Sequence, residues 1–300
     1  KFLLKAIEVD RQHPKANYQL AIFYYDNQLF ELAIPHFEKA NLFDAPSRAL
    51  YCHYKLKQFN QFEQKLKKVI GTKHTSPLLA TLSNHYAVNF NKPDLYNFCP
   101  NPLEFVLHER VPELVHNNHK LRFDLLSDIE QAEISDRKQS RLYNGIQSSG
   151  NLFQRNEKSF QLLSLALKKM IQKYYEMHQT SPCAFIKLFP KDIQFSSSWY
   201  VRMKQGGHLN SHIHEDGWIS GAVYLSIPKL RESPDEGAIE LSTDGDNYPK
   251  QHNNFPKLTI LPDEGDVIFF PSSVFHRTIP FNSNEERICI AFDLKPSLKS

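Results

Sequence analysis

Residues 207–217 read Gly-His-Leu-Asn-Ser-His-Ile-His-Glu-Asp-Gly, with three histidines and two acidic residues in eleven positions. In an extended strand, residues i, i+2 and i+4 share a face, so His212, His214 and Asp216 are expected to converge on one surface. Sixty-two residues after His214, the apolar run Phe269-Phe270-Pro271-Ser272-Ser273-Val274-Phe275 delivers His276. A His-x-Asp pair with one distant histidine is the ligand set of the 2-His-1-carboxylate facial triad. That set occupies one face of Fe(II) and leaves the remaining positions open for cosubstrate and oxygen. Arg287 follows 11 residues after His276, where the segment RICIAFDL begins. An arginine there could point inward and hold a carboxylate in a bidentate pair, which lysine does less well. His-x-His and His-x-Asp pairs each arise readily by chance. The combination with a late apolar strand, His276 and a following arginine is what points to a metal site. The other eleven of the 14 histidines lack partners at ligand spacing and read as solvated or satisfied structural groups.

The elements that must position these residues lie from 182 onward. There, short β-rich runs alternate with turn signals: AFIKLF, SWYVRMK, WISGAVYLSI, AIELS, KLTIL, DVIFF and RICIAFDL. Gly206-Gly207, the segment ending at Gly237, Asp244–Asn247 and Pro262–Gly265 supply the expected turns. Seven or eight strands so spaced predict a sandwich or jelly roll rather than a βαβ sheet, and such a barrel makes a cup for a metal. Residues 73–180 carry Pro93, Pro100, Pro102 and Pro112, helical patterns at 121–135 and 158–178, and a polar loop, NGIQSSGNLF, at 144–153. This stretch reads as a connector and support layer. The first 70 residues are dense in helix formers with apolar residues three to four apart. Leu3 and Phe37, and likewise Ala6 and Ala40, are separated by 34 residues, and Tyr18 and Tyr51 by 33. That is the period of helix–turn–helix repeats, in which small residues admit close helix approach and aromatics fill the gaps. Residues 16–44 resemble a tetratricopeptide repeat, although Pro35 in the second helix departs from that pattern and is expected to kink it.

The expected fold class is therefore α+β. Residues 1–72 form tetratricopeptide-like repeats, 73–180 a helical support layer and 181–300 a double-stranded β-helix core. A chain of 300 residues suggests two domains, and 41% hydrophobic with 23% charged residues suits a protein that buries a real core. A net charge of +3 is too balanced for a nucleic-acid binder. No apolar run approaches the roughly 20 residues of a membrane span. Four scattered cysteines without CxxC spacing argue against a disulfide framework or thiolate zinc site and suggest a cytoplasmic location. The chain opens inside a helical pattern with no leader signature, as a piece of a longer protein would.

Residues 197–294, through SSWYVRMKQGGHLNSHIHEDGWISGAVYLSIP and LPDEGDVIFFPSSVFHRTIPFNSNEERICIAFDL, resemble the 2-oxoglutarate- and Fe(II)-dependent oxygenases. They look most like the bacterial group that often follows tetratricopeptide repeats. The loop SSGNLF at 148–153 extends the resemblance to about residues 90–300. It implies Fe(II) and 2-oxoglutarate as cofactors, with His214, Asp216 and His276 as metal ligands and Arg287 binding the distal carboxylate of 2-oxoglutarate. In the narrower group the two neighbouring histidines match His212 and His214, and the position of Asp216 need not be acidic. A His212–His214–His276 set is thus the alternative, and the His-x-Asp pair is favoured because this chain supplies the aspartate. Cys289 stands where the superfamily often has a serine that assists the same carboxylate, and cysteine is the poorer hydrogen-bond partner. The implied reaction is hydroxylation with release of succinate and CO2. The partners would be O2 and a protein, glycan or small-molecule substrate, with a protein partner recruited through the helical repeats. Two other readings stand beside it. One is a cupin-like metalloprotein that does not use 2-oxoglutarate, in which Arg287 is structural. The other is a repeat-mediated binding protein with a degenerate jelly roll. Among neighbours, Trp218 and Tyr224 line the cosubstrate pocket or belong to the core. Trp199 and Tyr200 face opposite sides of their strand, Arg202 reads as an exposed ion-pairing arginine, and Gly217 and Gly221 serve turns and close packing.

Overall fold

The computed structural model describes residues 2–42, 44–72, 74–131, 133–137 and 139–295. They divide into two units, the residues up to Pro100 with Asn247–Phe255, and Asn101–Asp246 with the residues from Pro256 onward. The first is helical: α1 (Phe2–Val9), α2 (Pro14–Asp26), α3 (Phe30–Ala40), α4 (Ala45–Lys55), α5 (Phe59–Gly71) and α6 (Pro77–Asn89). Local chemistry sets the ends. Ser76 Oγ accepts from Leu79 N at 3.3 Å just ahead of Pro77, and Asn41 closes α3 in the left-handed conformation (φ 43°). Pro35 lies inside α3 without ending it. Ala21, Ala33, Ala40, Ala45 and Ala49 let α2, α3 and α4 approach around Phe37 and Cys52, while Tyr18, Tyr25 and Phe30 pack at the margin.

Residues 247–255 complete this unit from far along the chain. The Tyr248 ring lies 5.7 Å from Tyr51 and 5.6 Å from Tyr54, and Phe255 stacks on His85 at 4.6 Å. Asn89 fixes the backbone of the segment, donating to Pro249 O (2.9 Å) and accepting from Gln251 N (2.7 Å).

The second unit holds α7 (Pro112–Val115), α8 (Lys120–Gln131), α9 (Lys158–His178) and α10 (Ala184–Lys187). Its strands are β1 (Leu107–Arg110), β2 (Asp136–Arg137), β3 (Leu142–Ser148), β4 (Phe195–His212), β5 (Ile219–Ser226), β6 (Ile239–Ser242), β7 (Lys257–Ile260), β8 (Asp266–Pro271), β9 (Phe275–Thr278) and β10 (Arg287–Leu294). They pair antiparallel in the order β1-β8-β5-β10-β4-β9-β6-β7, with β3 joined to β4 and β2 to β3. The sheet curls because one edge of β4 serves two neighbours in turn, while β3 lies along the other. Its first half pairs with β10 and its end with β9, with Gly206 (φ 74°) between and a register shift within the β9 pairing at 209–212. Alternation along the strands sends Val201, Met203, Ala222, Tyr224, Ile239, Leu241, Ile268, Phe270 and Cys289 into one interior cluster. The sheet is thus a curled antiparallel one of the jelly-roll kind, and the first unit is a helical N-terminal region. Among the described residues no helix is long and apolar enough to cross a membrane.

Three local expectations are corrected. AFIKLF holds α10 rather than a strand, because its buried residues Phe185, Ile186 and Phe189 follow helical, not alternating, spacing. Gly206-Gly207 is no hairpin turn but the bend inside β4. The first half of NGIQSSGNLF lies in β3, whose polar, largely exposed residues reflect a ladder laid on β4 rather than a loop.

The opposite face of the sheet packs through Phe292, fully buried, whose ring lies 5.8 Å from Phe269 and 5.3 Å from Phe195. Gly221 admits it, since a Cβ there would sit 2.6 Å from Phe292 Cζ and 2.8 Å from the Ile268 carbonyl oxygen. Phe292→Ala is expected to lower unfolding stability by about 3–5 kcal/mol in urea titration. Gly221→Ala should also destabilise, because the backbone at Ile268 cannot yield as a side chain would.

Candidate metal centre

The β4–β9 ladder pairs His212 directly with His276, so strand register alone sets these two imidazoles side by side. Their ring centroids are 4.2 Å apart. β4 ends at His212. The chain then leaves the strand, with His214 N donating to Ser272 O (3.1 Å), Gly217 N to His214 O (3.3 Å) and Trp218 N to Leu294 O (2.9 Å). This stitched turn brings His214 back over the pair, with centroids 4.9 Å from His276 and 5.2 Å from His212. One ligand atom from each of His212, His214 and His276 lies within 4.8 Å of the others. The structure thus brings these three together. Asp216 stands apart and exposed at the turn, because alternation stops where β4 stops.

The ring nitrogens divide by role. His212 Nδ1 lies 2.8 Å from Asn210 O, His276 Nδ1 3.3 Å from Val274 O, and His214 Nδ1 2.5 Å from Asp293 Oδ1. Carbonyl and carboxylate oxygens only accept, so each Nδ1 carries the proton and each Nε2 presents a lone pair. The Nε2 atoms of His212 and His214 face each other at 3.3 Å. Two lone pairs so close repel unless a cation lies between them, and neutral Nε2 donors of this kind suit Fe(II). Burial, and then the neighbouring imidazoles, hold His212 at about 3 and His276 well below the ordinary histidine value. Burial pulls Asp293 upward, but His214 and hydrogen bonds from His214, Ser220 and Ser197 hold it below the usual aspartate value.

Arg287 occupies the other end of the same inner strand face, buried at 2% exposure. Its Nε donates to Gly237 O (2.9 Å), its Nη1 lies 3.7 Å from Cys289 Sγ, and its guanidinium carbon is 5.1 Å from the Tyr224 ring centre. Among the described residues no carboxylate pairs with it. Tyr224 Oη is buried beside it and meets no acceptor for its proton among the described residues. An uncompensated guanidinium next to an orphaned hydroxyl is costly unless a carboxylate joins them, so the residues present fit the distal end of 2-oxoglutarate. Between the two ends Ala291 pairs with Ala222, two small side chains facing each other across the β10–β5 ladder.

The neighbours sort clearly. Trp218 donates Nε1–H to Phe185 O (3.1 Å) and stacks on that ring, as core. Trp199 lies 5.5 Å from the His214 ring, whereas Tyr200 turns away to Asp136. Arg202 pairs with Glu286 at 2.7 Å. Sequence reasoning missed Asp293, Ser220, Ser197 and Ser272. The signal available was an aspartate six positions after Arg287, on the same strand face, in the otherwise apolar RICIAFDL.

Residues 197–293 match the family model described as "Putative 2OG-Fe(II) oxygenase". With the fold and site just described, that match makes this domain a member of the 2-oxoglutarate- and Fe(II)-dependent oxygenases. This domain is accordingly that of a dioxygenase whose cofactors are Fe(II) and 2-oxoglutarate. No curated protein matches the sequence. Among solved structures, a Pseudomonas putida prolyl-4-hydroxylase is 12% identical, covering 67% of this chain and 96% of its own at a TM-score of 0.45. HygX from Streptomyces hygroscopicus, with nickel and 2-oxoglutarate bound, is 13% identical, covering 65% and 84% at 0.46. A Trichoplax adhaerens prolyl hydroxylase in complex with a hypoxia inducible factor peptide fragment is 13% identical, covering 71% and 89% at 0.44.

Because His212 and His276 are held neutral, the unfolded chain binds more protons than the folded one below about 6.5, the ordinary histidine value. Stability supplied by neutral burial is thus present above that pH and lost as pH falls towards the His212 value of about 3. The metal-free protein should show a falling urea midpoint from pH 7 to pH 5, with His276→Gln flattening the decline by up to about 1.4 kcal/mol per pH unit.

Proposed function

We propose that the chain hydroxylates a C–H bond of its substrate at Fe(II) held by His212, His214 and His276, with release of succinate and CO2. The observation that carries this reading is the convergence of three histidine ligand atoms in a barrel that also buries an arginine with no carboxylate partner among the described residues. His212 thereby takes the place expected for Asp216. Iron and 2-oxoglutarate, when bound, supply the reductive activation of O2 that hydroxylates the substrate.

The chain's own residues bind, orient and exclude water. Arg287 takes the distal carboxylate through its Nη atoms, since Nε is committed to Gly237 O, and Tyr224 Oη donates to the same group. Cys289, whose thiol burial pushes up, stays protonated and contributes packing rather than charge. Phe270, 4.6 Å from the His276 ring, and Trp199 beside His214 wall the metal on its apolar sides and exclude water from the oxidant. Residues 1–72 act as a tetratricopeptide-like scaffold that recruits a protein partner, 73–180 support the barrel, and 181–300 form the catalytic core. The described cysteines are all free and buried, which suits a reducing cytoplasm.

Anaerobic Fe(II) titration with 2-oxoglutarate should give a weak visible charge-transfer band that needs both additions. His212→Ala is expected to abolish the band and Asp216→Ala to keep it, and the reverse result would overturn the ligand assignment. Arg287→Ala should retain Fe(II) but weaken 2-oxoglutarate binding about 100-fold or more, because the cosubstrate carboxylate would be buried unpaired. Unchanged 2-oxoglutarate affinity in that variant would remove Arg287 from the site.

A further inference from the structure

We propose that Asp293 is the carboxylate of this metal centre, acting through His214 rather than on the metal. It is a positioning residue that locks the direction of His214 Nε2 and supplies the negative charge that three neutral imidazoles lack. The inference rests on the His212–His214–His276 reading above.

The three histidines are not equivalent. His212 and His276 donate Nδ1–H to the carbonyls of Asn210 and Val274, each two residues earlier on its own chain segment. His214 alone donates to a charged group from another strand, Asp293 Oδ1 at 2.5 Å. The carboxylate is held in turn. Ser220 Oγ donates to Oδ1 at 2.7 Å and Ser197 Oγ to Oδ2 at 3.0 Å, while Ser272 Oγ lies 2.8 Å from Ser220 Oγ. β5 and β4 thus each contribute one hydroxyl to fixing the oxygen pair that β10 carries, and the residue after β8 braces the first of them. A Cβ at Gly217 would sit 2.5 Å from Ser272 Oγ and 3.3 Å from Asp293 Oδ1, so the turn that carries His214 requires glycine for the network to close.

Asp293 is buried, and among the described residues no lysine or arginine pairs with it. A buried carboxylate without a cation is costly. The positive charge that answers it is therefore the metal, felt through the imidazole. A carboxylate–histidine–metal relay of this kind fixes the tautomer and raises the ligand's basicity. Where a facial triad places its carboxylate on the metal, this centre keeps it one ring away, so the coordination position remains imidazole while the site's charge is restored.

The test compares wild type with Asp293→Asn, which preserves size and leaves a carbonyl oxygen for His214 Nδ1–H. The readouts are anaerobic Fe(II) affinity by calorimetry and the Fe(III)/Fe(II) midpoint potential of the metal-loaded protein. We expect an unchanged fold by circular dichroism, affinity reduced about 10–100-fold and a raised potential, since the ferric form loses more from removal of negative charge. A merely structural aspartate would leave the potential unmoved in a folded variant. Folded Asp293→Asn with wild-type affinity and potential overturns the proposal but leaves the three-histidine reading standing. A wild type that retains no metal overturns both. Should the variant not fold, nitrogen-15 NMR of Zn(II)-loaded wild type decides. His214 protonated at Nδ1, with a far-downfield proton protected from exchange, supports the relay, and an unprotonated Nδ1 overturns it.

Discussion

Two nitrogen lone pairs 3.3 Å apart in a buried cup repel each other, and the arrangement around His212 and His214 makes sense once a cation is allowed between them. Every feature that forces the pair together is unusually well specified. The β4–β9 register fixes His212 against His276, the hydrogen bonds of residues 214–218 fix the return of His214, and acceptors at each Nδ1 stop the rings from turning. A ring free to rotate would relieve the repulsion by presenting its protonated nitrogen. The surrounding groups deny it that option.

The same logic runs along β10. Its inner face carries Arg287, Cys289, Ala291 and Asp293, a positive group at one end, a negative group at the other and small side chains between. Neither charge is neutralised by an oppositely charged side chain of full strength. Arg287 is answered by one carbonyl oxygen and an aromatic face, and Asp293 by two hydroxyls and one imidazole. An apolar interior that holds two such groups is stable only modestly by itself. It is shaped for a metal at one end and a dicarboxylate reaching to the other.

Period and composition made the helical start and the strand-rich end legible in the sequence, and spacing singled out His212, His214 and His276, which the fold brings together, and Arg287, which it buries on β10. Period-2 reasoning failed where the strand stopped. It assumed that β4 ran past His212, which would have put Asp216 on the ligand face, whereas the turn at 213–217 sends Asp216 to solvent. Asp293 was overlooked because one aspartate at the end of an apolar strand reads as a terminus. Its role comes from hydroxyls and an imidazole on strands that only folding brings near. The polar residues of β3 were equally silent, since a ladder on β4 depends on backbone groups that every residue carries.

The helical unit contains residues that the ribosome supplies late. Tyr248 and Phe255 complete its interior, Pro249 and Gln251 bond to Asn89 through their backbone, and the Asn89–Pro249 bond spans 160 positions. At about 5–20 residues per second, the helices emerge roughly 10–30 s before the segment that closes them. An amino-terminal fragment cut after Pro100 is therefore not a module in the genetic sense. It would carry His85 without the Phe255 ring that stacks on it and Asn89 without the backbone groups of Pro249 and Gln251, and a recombination event could not transplant it intact without part of the β6–β7 connection.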